Sequence, residues 1–198
     1  MTLPLIIMAA GKSRRFGEAD KRFTVLPHGG VLINALVRRA RKAGLDVSVV
    51  LDPADDVSAK VGAPCIFSSN AADGMGSSIA DALSSIASQS RADSLLIMPA
   101  DLPLLRIESI RRVAARASSD RIVIPHCGGL RGHPVAFGRA YWPALSALSG
   151  DEGARSVIAE ASTKNIEVLE LDDEGIYLDA DTPESMSGLL KKLRPVLR

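Results

Sequence analysis

The sequence opens on LPLIIMAA at residues 3–10, a continuous apolar run that ends directly at Gly11. The run is too short for a free-standing helix, and unbroken apolar character is typical of a strand that is buried on both faces. A helical pattern over residues 31–43 stops at Gly44, and residues 47–51 are again apolar and β-branched. The local order of strand, helix and strand predicts a parallel sheet that begins with the first run.

The same alternation continues along the chain. Further strands are predicted at residues 64–67, 94–98, 121–125, 134–137 and 166–171, and further helices at residues 77–88, 107–117, 141–148, 154–161 and 184–193. Strands that alternate with helices imply a three-layer α/β/α arrangement, a mostly parallel sheet with helices on both faces. No repeat, low-complexity tract or linker interrupts the series, so we expect residues 1–198 to form a single domain.

Bulk composition limits the classes of function. The 198 residues are 46% hydrophobic, and a chain of this length buries roughly 70% of its unfolded surface. The formal net charge is +1, so no overall field draws the protein to nucleic acid or to an anionic membrane, and a small partner is expected. Cys65 and Cys127 form no C-x-x-C pair, and three scattered histidines do not predict a zinc site. Without a basic leader or a long apolar run, a cytoplasmic location is expected.

The first loop carries unusual chemistry. In open α/β sheets a ligand lies beyond the carboxyl ends of the strands, and AAGKSRRFG at residues 9–17 follows the first strand directly. The small residues at positions 9–11 let backbone N–H groups approach an anion, and Arg15 and Lys21 can supply the charge that a triphosphate needs. The loop is therefore interpreted as a phosphate cradle.

Three alternatives to this cradle make different demands on the sequence. A Walker A loop would need glycine where Ile6 stands, and a dinucleotide fingerprint would need a third glycine that neither this loop nor residues 74–76 provides. A plain solvated basic turn, formed by Lys12, Arg14, Arg15, Lys21 and Arg22, is the remaining alternative.

Residues 8–17 together with Lys21 resemble a known signature. The pattern Leu-Ala-Ala-Gly-x-Ser-x-Arg-Met/Phe-Gly, followed closely by Lys, marks nucleotidyltransferases with a glycosyltransferase-A-like fold, and Met8 replaces the usual leucine here. The resemblance implies a Rossmann-like domain of the nucleotide-diphospho-sugar transferase type, in which this loop wraps the triphosphate. The nucleotide-binding candidates in the loop are Ala9, Ala10, Gly11, Ser13, Arg15 and Lys21.

A second segment places Gly74 and Gly76 immediately ahead of a predicted helix. The first turn of such a helix offers N–H groups and hydroxyls to a phosphate or to the polar edge of a base, although Ser77 or Ser78 could simply cap the helix. The pattern Gly-Met-x-x-Ser resembles the molybdenum cofactor cytidylyltransferase branch. That resemblance implies nucleotide contacts for Gly74, Met75, Ser77 and Ser78.

Carboxylates occur in two separate segments of the chain. Asp101 comes just past the apolar run at residues 94–98, and Asp179 and Asp181 share a side if their segment is extended. Mg²⁺ favours one or two carboxylates plus phosphate oxygens, whereas a loop cap at Asp101 and a helix cap at Asp181 are the simpler alternatives. Asp-x-Pro and Asp-x-Asp-Thr-Pro-Glu resemble marks of the same family. They imply Asp101 as the strongest metal candidate, with Asp179 or Asp181 second.

Two glycine-rich stretches complete the pattern. Residues 128–135 (GGLRGHPV) suggest a hairpin loop, and residues 150–155 (GDEGAR) suggest a helix start. Both also resemble the cytidylyltransferase branch, where they border the pterin and the acceptor phosphate. The implied acceptor-binding residues are Gly132, His133, Pro134, Asp151 and Arg155, with His133 orienting the acceptor rather than acting as a general base.

The resemblance runs from about residue 4 to residue 187. It implies an Mg²⁺-dependent enzyme that moves CMP from CTP onto the terminal phosphate of molybdopterin, with Arg15, Lys21 and Asp101 as catalytic residues. A guanylyltransferase of the same pathway or a sugar-phosphate nucleotidyltransferase is the nearest alternative. A non-catalytic chaperone that delivers the cofactor to a molybdenum hydroxylase is the alternative of another class, and such a hydroxylase is also a possible client of the active enzyme.

Overall fold

The computed structural model describes residues 2–11, 16 and 20–193. The described elements alternate along the chain much as the sequence predicts. The strands are β1 (Pro4–Met8), β2 (Asp46–Leu51), β3 (Cys65–Phe67), β4 (Ser94–Pro99), β5 (Ile122–Cys127), β6 (Leu130–Arg131), β7 (Val135–Gly138) and β8 (Ile166–Glu170). The α-helices are α1 (Leu32–Lys42), α2 (Met75–Ala87), α3 (Ile107–Arg116), α4 (Trp142–Ser146), α5 (Arg155–Glu160) and α6 (Pro183–Lys192).

All eight strands form one mixed sheet. Its order is β3-β2-β1-β4-β7-β5-β6, and β8 pairs with β5. The pairs among β1, β2, β3 and β4 are parallel, as is β5 with β8, whereas β7 runs antiparallel to both β4 and β5. The expected mostly parallel sheet is confirmed, and the loops after β1, β3 and β4 leave from the same edge.

The sheet is covered by helices on both faces, which confirms the three-layer expectation. Alternate residues of β1 point to opposite sides, so Leu5 and Ile7 join one buried cluster with α1, α3 and α6. Ile6 and Met8 join a second cluster with α2, α4 and α5. Because all five residues of β1 are buried, its sequence carries no polar alternation. Across the described parts of the chain, no helix has the length and apolar character needed to cross a bilayer.

Several boundaries have clear local causes. Helix α1 ends before Gly44, whose φ of 90° suits glycine, and Gly128 and Gly129 also have positive φ in the turn that joins β5 to β6. This confirms the hairpin-loop interpretation of that stretch, although β6 itself was not predicted. The cap of α6 is Thr182, which forms a capping box with Ser185, so the alternative that Asp181 caps this helix is wrong.

Candidate active site

Three carboxylates meet beyond the carboxyl end of β4. Asp101 follows β4, and Asp179 and Asp181 lie just before α6; each offers one oxygen, and these oxygens lie within 4.8 Å of one another. The two segments are tied by the backbone, since Ala180 N donates to Asp101 O at 3.1 Å. The structure thus brings together the three acids that the sequence offered as metal ligands.

Asp101 has the geometry of a metal ligand. Its Oδ2 accepts a hydrogen bond from Lys21 Nζ at 2.7 Å, while its Oδ1 is buried and has no partner among the residues that the structure describes. Leaving a buried carboxylate oxygen unpaired costs about 1–3 kcal/mol or more, and a bound cation removes that cost. An all-carboxylate oxygen set suits a hard divalent ion such as Mg²⁺ or Mn²⁺. The residues present therefore fit the metal that the sequence implied.

The acids also repel one another. Burial, together with the neighbouring charges of Asp101 and Asp181, raises the pKa of Asp179 above its ordinary value. Lys21 opposes this repulsion, because its Nζ also lies 3.7 Å from Asp181 Oδ1. The ammonium group of Lys21 therefore pairs with two carboxylates of the cluster, those of Asp101 and Asp181.

Lys21 is held in place by a short local structure. It begins a 3-10 turn (Lys21–Phe23), where the Asp20 side chain accepts from Arg22 N. The Lys21 side chain is only 15% exposed, so the alternative of a solvated basic turn does not hold for this residue. Ser13 and Arg15, the other polar candidates of the first loop, lie outside the described residues.

Arg22 was not singled out by the sequence, yet it anchors the first loop. Its guanidinium is 10% exposed, donates to Asp20 and to Asp55, and reaches Ala9 O at 2.7 Å. Burial disfavours the charged form, but the hydrogen bonds to the two carboxylates outweigh it and raise the pKa of Arg22. Asp20, two residues before Arg22, was the only local signal for this role, because Asp55 is distant in the sequence.

The three small residues after β1 differ in hydrogen bonding and in exposure. Ala9 N donates to Val50 O at 3.0 Å and its carbonyl accepts from Arg22, so the expected approach of this N–H to an anion is wrong. Ala10 is buried, whereas Gly11 is exposed. Gly11 is thus the better placed of the three for contact with a ligand.

Several hydrogen-bonding groups at the start of α2 are already bonded to other parts of the chain. The helix begins at Met75, two residues earlier than predicted, and Gly74 is its cap without any side-chain hydrogen bond. The alternative that Ser77 or Ser78 caps the helix is therefore wrong. Ser77 Oγ accepts from Gly150 N at 3.2 Å, and Ser78 Oγ donates to Gly74 O at 3.2 Å. Both hydroxyls shape the segment, and Met75 remains exposed.

Gly74 and Gly76 are needed for close packing. Gly76 N donates to Gly150 O at 2.7 Å, so the expectation that the whole first turn offers free N–H groups is not met. A Cβ at Gly74 would collide with the Asp151 carboxylate and with the Gly150 backbone. Asp151, expected on the acceptor side, therefore lies against the expected nucleotide segment.

The remaining acceptor candidates occupy two other places. His133 N donates to Ile176 O at 2.8 Å, and Gly132 lies so close to Ile176 that a Cβ has no room. Pro134 leads from this point into β7, whereas Arg155 is exposed at the first position of α5. The acceptor set implied by the resemblance is thus divided between the loop before β7 and the start of α5.

The His133 ring lies near the carboxylates. Burial lowers the pKa of His133, and the backbone of Ile97 and the charge of Asp101 offset this only in part. Its Nδ1 is buried and has no partner within the described part of the chain. A neutral imidazole at pH 7 can accept or donate one hydrogen bond, which suits an orienting role.

The fold places a carboxylate cluster and a lysine together beyond the carboxyl ends of the parallel strands. Residues 5–166 match the family model described as "MobA-like NTP transferase domain". The chain therefore belongs to the MobA-like nucleotidyltransferase family. The matched range includes Lys21 and Asp101 and ends before Asp179 and Asp181.

Individual relatives agree with this family. The chain is 30% identical over 192 residues to the purine catabolism protein PucB of Bacillus subtilis, covering 90% of this chain and 91% of the relative. It is 28% identical over 138 residues to a molybdenum cofactor guanylyltransferase of Haemophilus influenzae, covering 68% and 69%.

Solved structures share the fold. Rv0371c of Mycobacterium tuberculosis superposes with a TM-score of 0.78 at 23% identity, covering 96% of this chain and 99% of that one. A second structure of Rv0371c, a complex with manganese, has the same TM-score and coverage at 22% identity.

Proposed function

We propose that this nucleotidyltransferase transfers CMP from CTP to the terminal phosphate of molybdopterin in the cytoplasm, releasing pyrophosphate and forming molybdopterin cytosine dinucleotide. The observation that carries the reaction type is the cluster of Asp101, Asp179 and Asp181 beside Lys21, in which Asp101 Oδ1 is buried and has no partner among the described residues. A molybdopterin-type acceptor is supported by the relative named as a molybdenum cofactor guanylyltransferase.

In the proposed reaction an oxygen of the acceptor's terminal phosphate attacks the α-phosphorus of CTP. A new P–O bond forms to the acceptor as the bond between the α-phosphorus and the β-bridging oxygen breaks, and pyrophosphate leaves with that electron pair. Mg²⁺ held by Asp101 with Asp179 or Asp181 would neutralise charge on the phosphates; the manganese complex of Rv0371c supports a divalent ion at this fold. The chain then needs only to align the reactants and to stabilise charge.

Lys21 and Arg15 are proposed to supply that stabilisation from the protein. The Lys21 ammonium already lies at the carboxylates, so its other N–H donors can turn to a phosphate oxygen placed beside them. Gly11, Ala10 and Ser13 are proposed to contact the same triphosphate. Because the Ala9 N–H bonds to Val50 and its carbonyl accepts from Arg22, we assign Ala9 to anchoring the loop.

The base is proposed to lie against the segment from Gly74 to Ser78. Met75 offers an exposed apolar side chain, and the serine hydroxyls fix the backbone around it. A base edge suits this place better than a phosphate, because the Gly150 carbonyl and the Asp151 carboxylate would repel an anion. Gly132, His133, Pro134 and Arg155 remain the proposed acceptor contacts.

Guanylyl transfer from GTP is the second candidate, and the Haemophilus influenzae relative is the observation that favours it. The two are separated by measuring pyrophosphate release with CTP, GTP or ATP, each with Mg²⁺ and molybdenum-loaded molybdopterin. Release with CTP supports the proposal, and release with GTP alone overturns it in favour of the sister activity. No release with any of the three would favour a carrier that delivers cofactor to a client molybdenum hydroxylase.

The metal assignment has its own test. Asp101→Asn is expected to abolish pyrophosphate release, because it removes the carboxylate that faces both the cation and Lys21. Asp46→Asn is the matched control: Asp46 is an exposed acid at the amino end of β2, on the opposite edge of the sheet. Wild-type turnover by folded Asp101→Asn would refute the assignment.

A further inference from the structure

Asp173 is a buried carboxylate outside the residues assigned to substrate or metal. Its side chain is 4% exposed and accepts hydrogen bonds from Arg106 N at 3.1 Å, from Ser109 Oγ at 2.5 Å and from Gly175 N at 3.0 Å. Arg106 is the N-cap residue of α3 and Ser109 lies in the first turn, so a carboxylate from far along the chain is bonded to the start of this helix.

The carboxylate links the two segments that carry the acids. Arg106 ends the loop that begins at Asp101, and Gly175 belongs to the 3-10 turn Glu174–Ile176, which leads to Asp179. The segments also touch between these points, because a Cβ at Gly175 would lie 2.5 Å from the Leu104 carbonyl carbon. Next to the acids themselves, the hydrogen bond from Ala180 N to Asp101 O joins the same two segments again.

Helix α3 gives this link a fixed reference. Its Ile110 and Val113 are fully buried in the core cluster that also contains β1 and α1. A carboxylate bound to the first turn of α3 therefore holds the chain before Asp179 against the core. Other described ties also hold this segment: core packing of Ile176 and Ala180, close packing at Gly175, and hydrogen bonds from Arg106 Nη1 to Asp172 O, from His133 N to Ile176 O and from Ala180 N to Asp101 O. Asp173 is the buried side chain that bonds the segment directly to the start of α3.

We propose that Asp173 is a positioning residue that sets the spacing between Asp101 and the pair Asp179 and Asp181, and thereby the affinity for a divalent cation. The inference rests on the metal site of the proposed function. Metal sites lose affinity when the groups that orient their ligands are removed, typically by about 10- to 100-fold.

The test is Asp173→Asn, measured by Mn²⁺ binding to the protein alone, from the electron paramagnetic resonance signal of free Mn²⁺. Asparagine keeps the shape of the aspartate side chain but replaces one acceptor oxygen by an NH₂ donor. That donor then faces at least one of the three donors that bond to Asp173, which are Arg106 N, Ser109 Oγ and Gly175 N. We expect Mn²⁺ to bind about 10-fold more weakly. In turnover assays the KM for Mg²⁺ should rise, while kcat at saturating Mg²⁺ stays near the wild-type value.

Three further variants separate positioning from loss of stability. Asp172→Asn is the matched neighbour control, because only the backbone carbonyl of Asp172 accepts from Arg106, and it should bind Mn²⁺ normally. Leu83→Ala truncates the core on the opposite face and should lower the melting temperature without changing Mn²⁺ affinity. Ser109→Ala removes a single bond to Asp173 and gives a milder version should the asparagine variant not fold.

The outcomes distinguish this inference from the proposed function. Wild-type Mn²⁺ affinity in folded Asp173→Asn and Ser109→Ala would overturn it, as would equal weakening in Leu83→Ala. If the unaltered protein binds no Mn²⁺, the metal site and the inference fall together. If it binds Mn²⁺ but releases no pyrophosphate, only the proposed reaction fails, and the affinity comparison still decides the role of Asp173.

Discussion

Replacing Lys21 by methionine is expected to have opposite effects on metal binding and on turnover. In the structure the Lys21 ammonium occupies the carboxylate cluster, 2.7 Å from Asp101 and 3.7 Å from Asp181. A divalent cation that binds the same acids must therefore approach a resident positive charge. Methionine keeps most of the buried stem of the side chain and removes only that charge.

The size of the effect follows from distance. A cation about 2 Å from an oxygen of Asp101 comes within roughly 5 to 7 Å of the ammonium nitrogen. At that separation a double and a single positive charge repel by about 1–2 kcal/mol even with the screening of bulk water. Lys21→Met should thus bind Mn²⁺ alone roughly tenfold more tightly, while pyrophosphate release is lost because the triphosphate loses its lysine.

Mn²⁺ titration and pyrophosphate release on the same preparations check both halves. Lys42→Met is the matched control, since it makes the same change in net charge at an exposed position near the end of α1. Weaker Mn²⁺ binding by Lys21→Met would refute the reasoning, because it would mean that Lys21 organises the acids rather than competing with the cation. Undiminished turnover would refute its role at the phosphates.

Three other changes test the surrounding structure. Gly74→Ala should lower stability by about 2 kcal/mol or more, seen as a melting temperature reduced by several degrees, because φ is 115° and Asp151 leaves no room for a Cβ. Asp179→Asn should stabilise the metal-free protein at pH 7 by less than about 1 kcal/mol, since burial and neighbouring acids raise the pKa of Asp179. With Asp179 present, the folded protein loses stability as pH rises from the unfolded pKa of about 4 to the raised folded pKa, because the carboxylate then ionises. The melting temperatures of Asp179→Asn and of the unaltered protein, measured in EDTA, should therefore become equal at acidic pH. Arg22→Met should cost about 3–5 kcal/mol in urea unfolding, because it leaves Asp20 and Asp55 without their shared buried cation.

The parts of the fold that sequence could predict are those encoded locally. The unbroken apolar run of β1 and the stop of α1 at Gly44 depend on neighbouring residues, and both have the predicted structure. The three acids could be associated because each follows or precedes a recognisable element at one edge of the sheet. Their function as metal ligands remains a prediction that the Mn²⁺ measurements test.

Contacts between distant segments could not be predicted in the same way. Gly150 and Asp151 contact the start of α2 although β4, β5 and β7 separate them from it along the chain, so the sequence assigned Asp151 and Gly74 to different sides of the site. Arg22 pairs with Asp55, which lies 33 residues away along the chain, and Asp20 is its only nearby signal. In each case the decisive partner is fixed by the packing of the sheet.

The charge balance of the cluster argues for a cation together with the triphosphate. Three acidic side chains, Asp101, Asp179 and Asp181, surround the single basic side chain of Lys21, so acidic groups outnumber basic ones in the cluster. A triphosphate is also an anion, and the cluster alone would repel it from this edge of the sheet. A divalent ion bound between the acidic cluster and the triphosphate would attract both and remove that repulsion. We therefore propose Asp101 Oδ1, which has no partner among the described residues, as a ligand of an ion that arrives with the nucleotide.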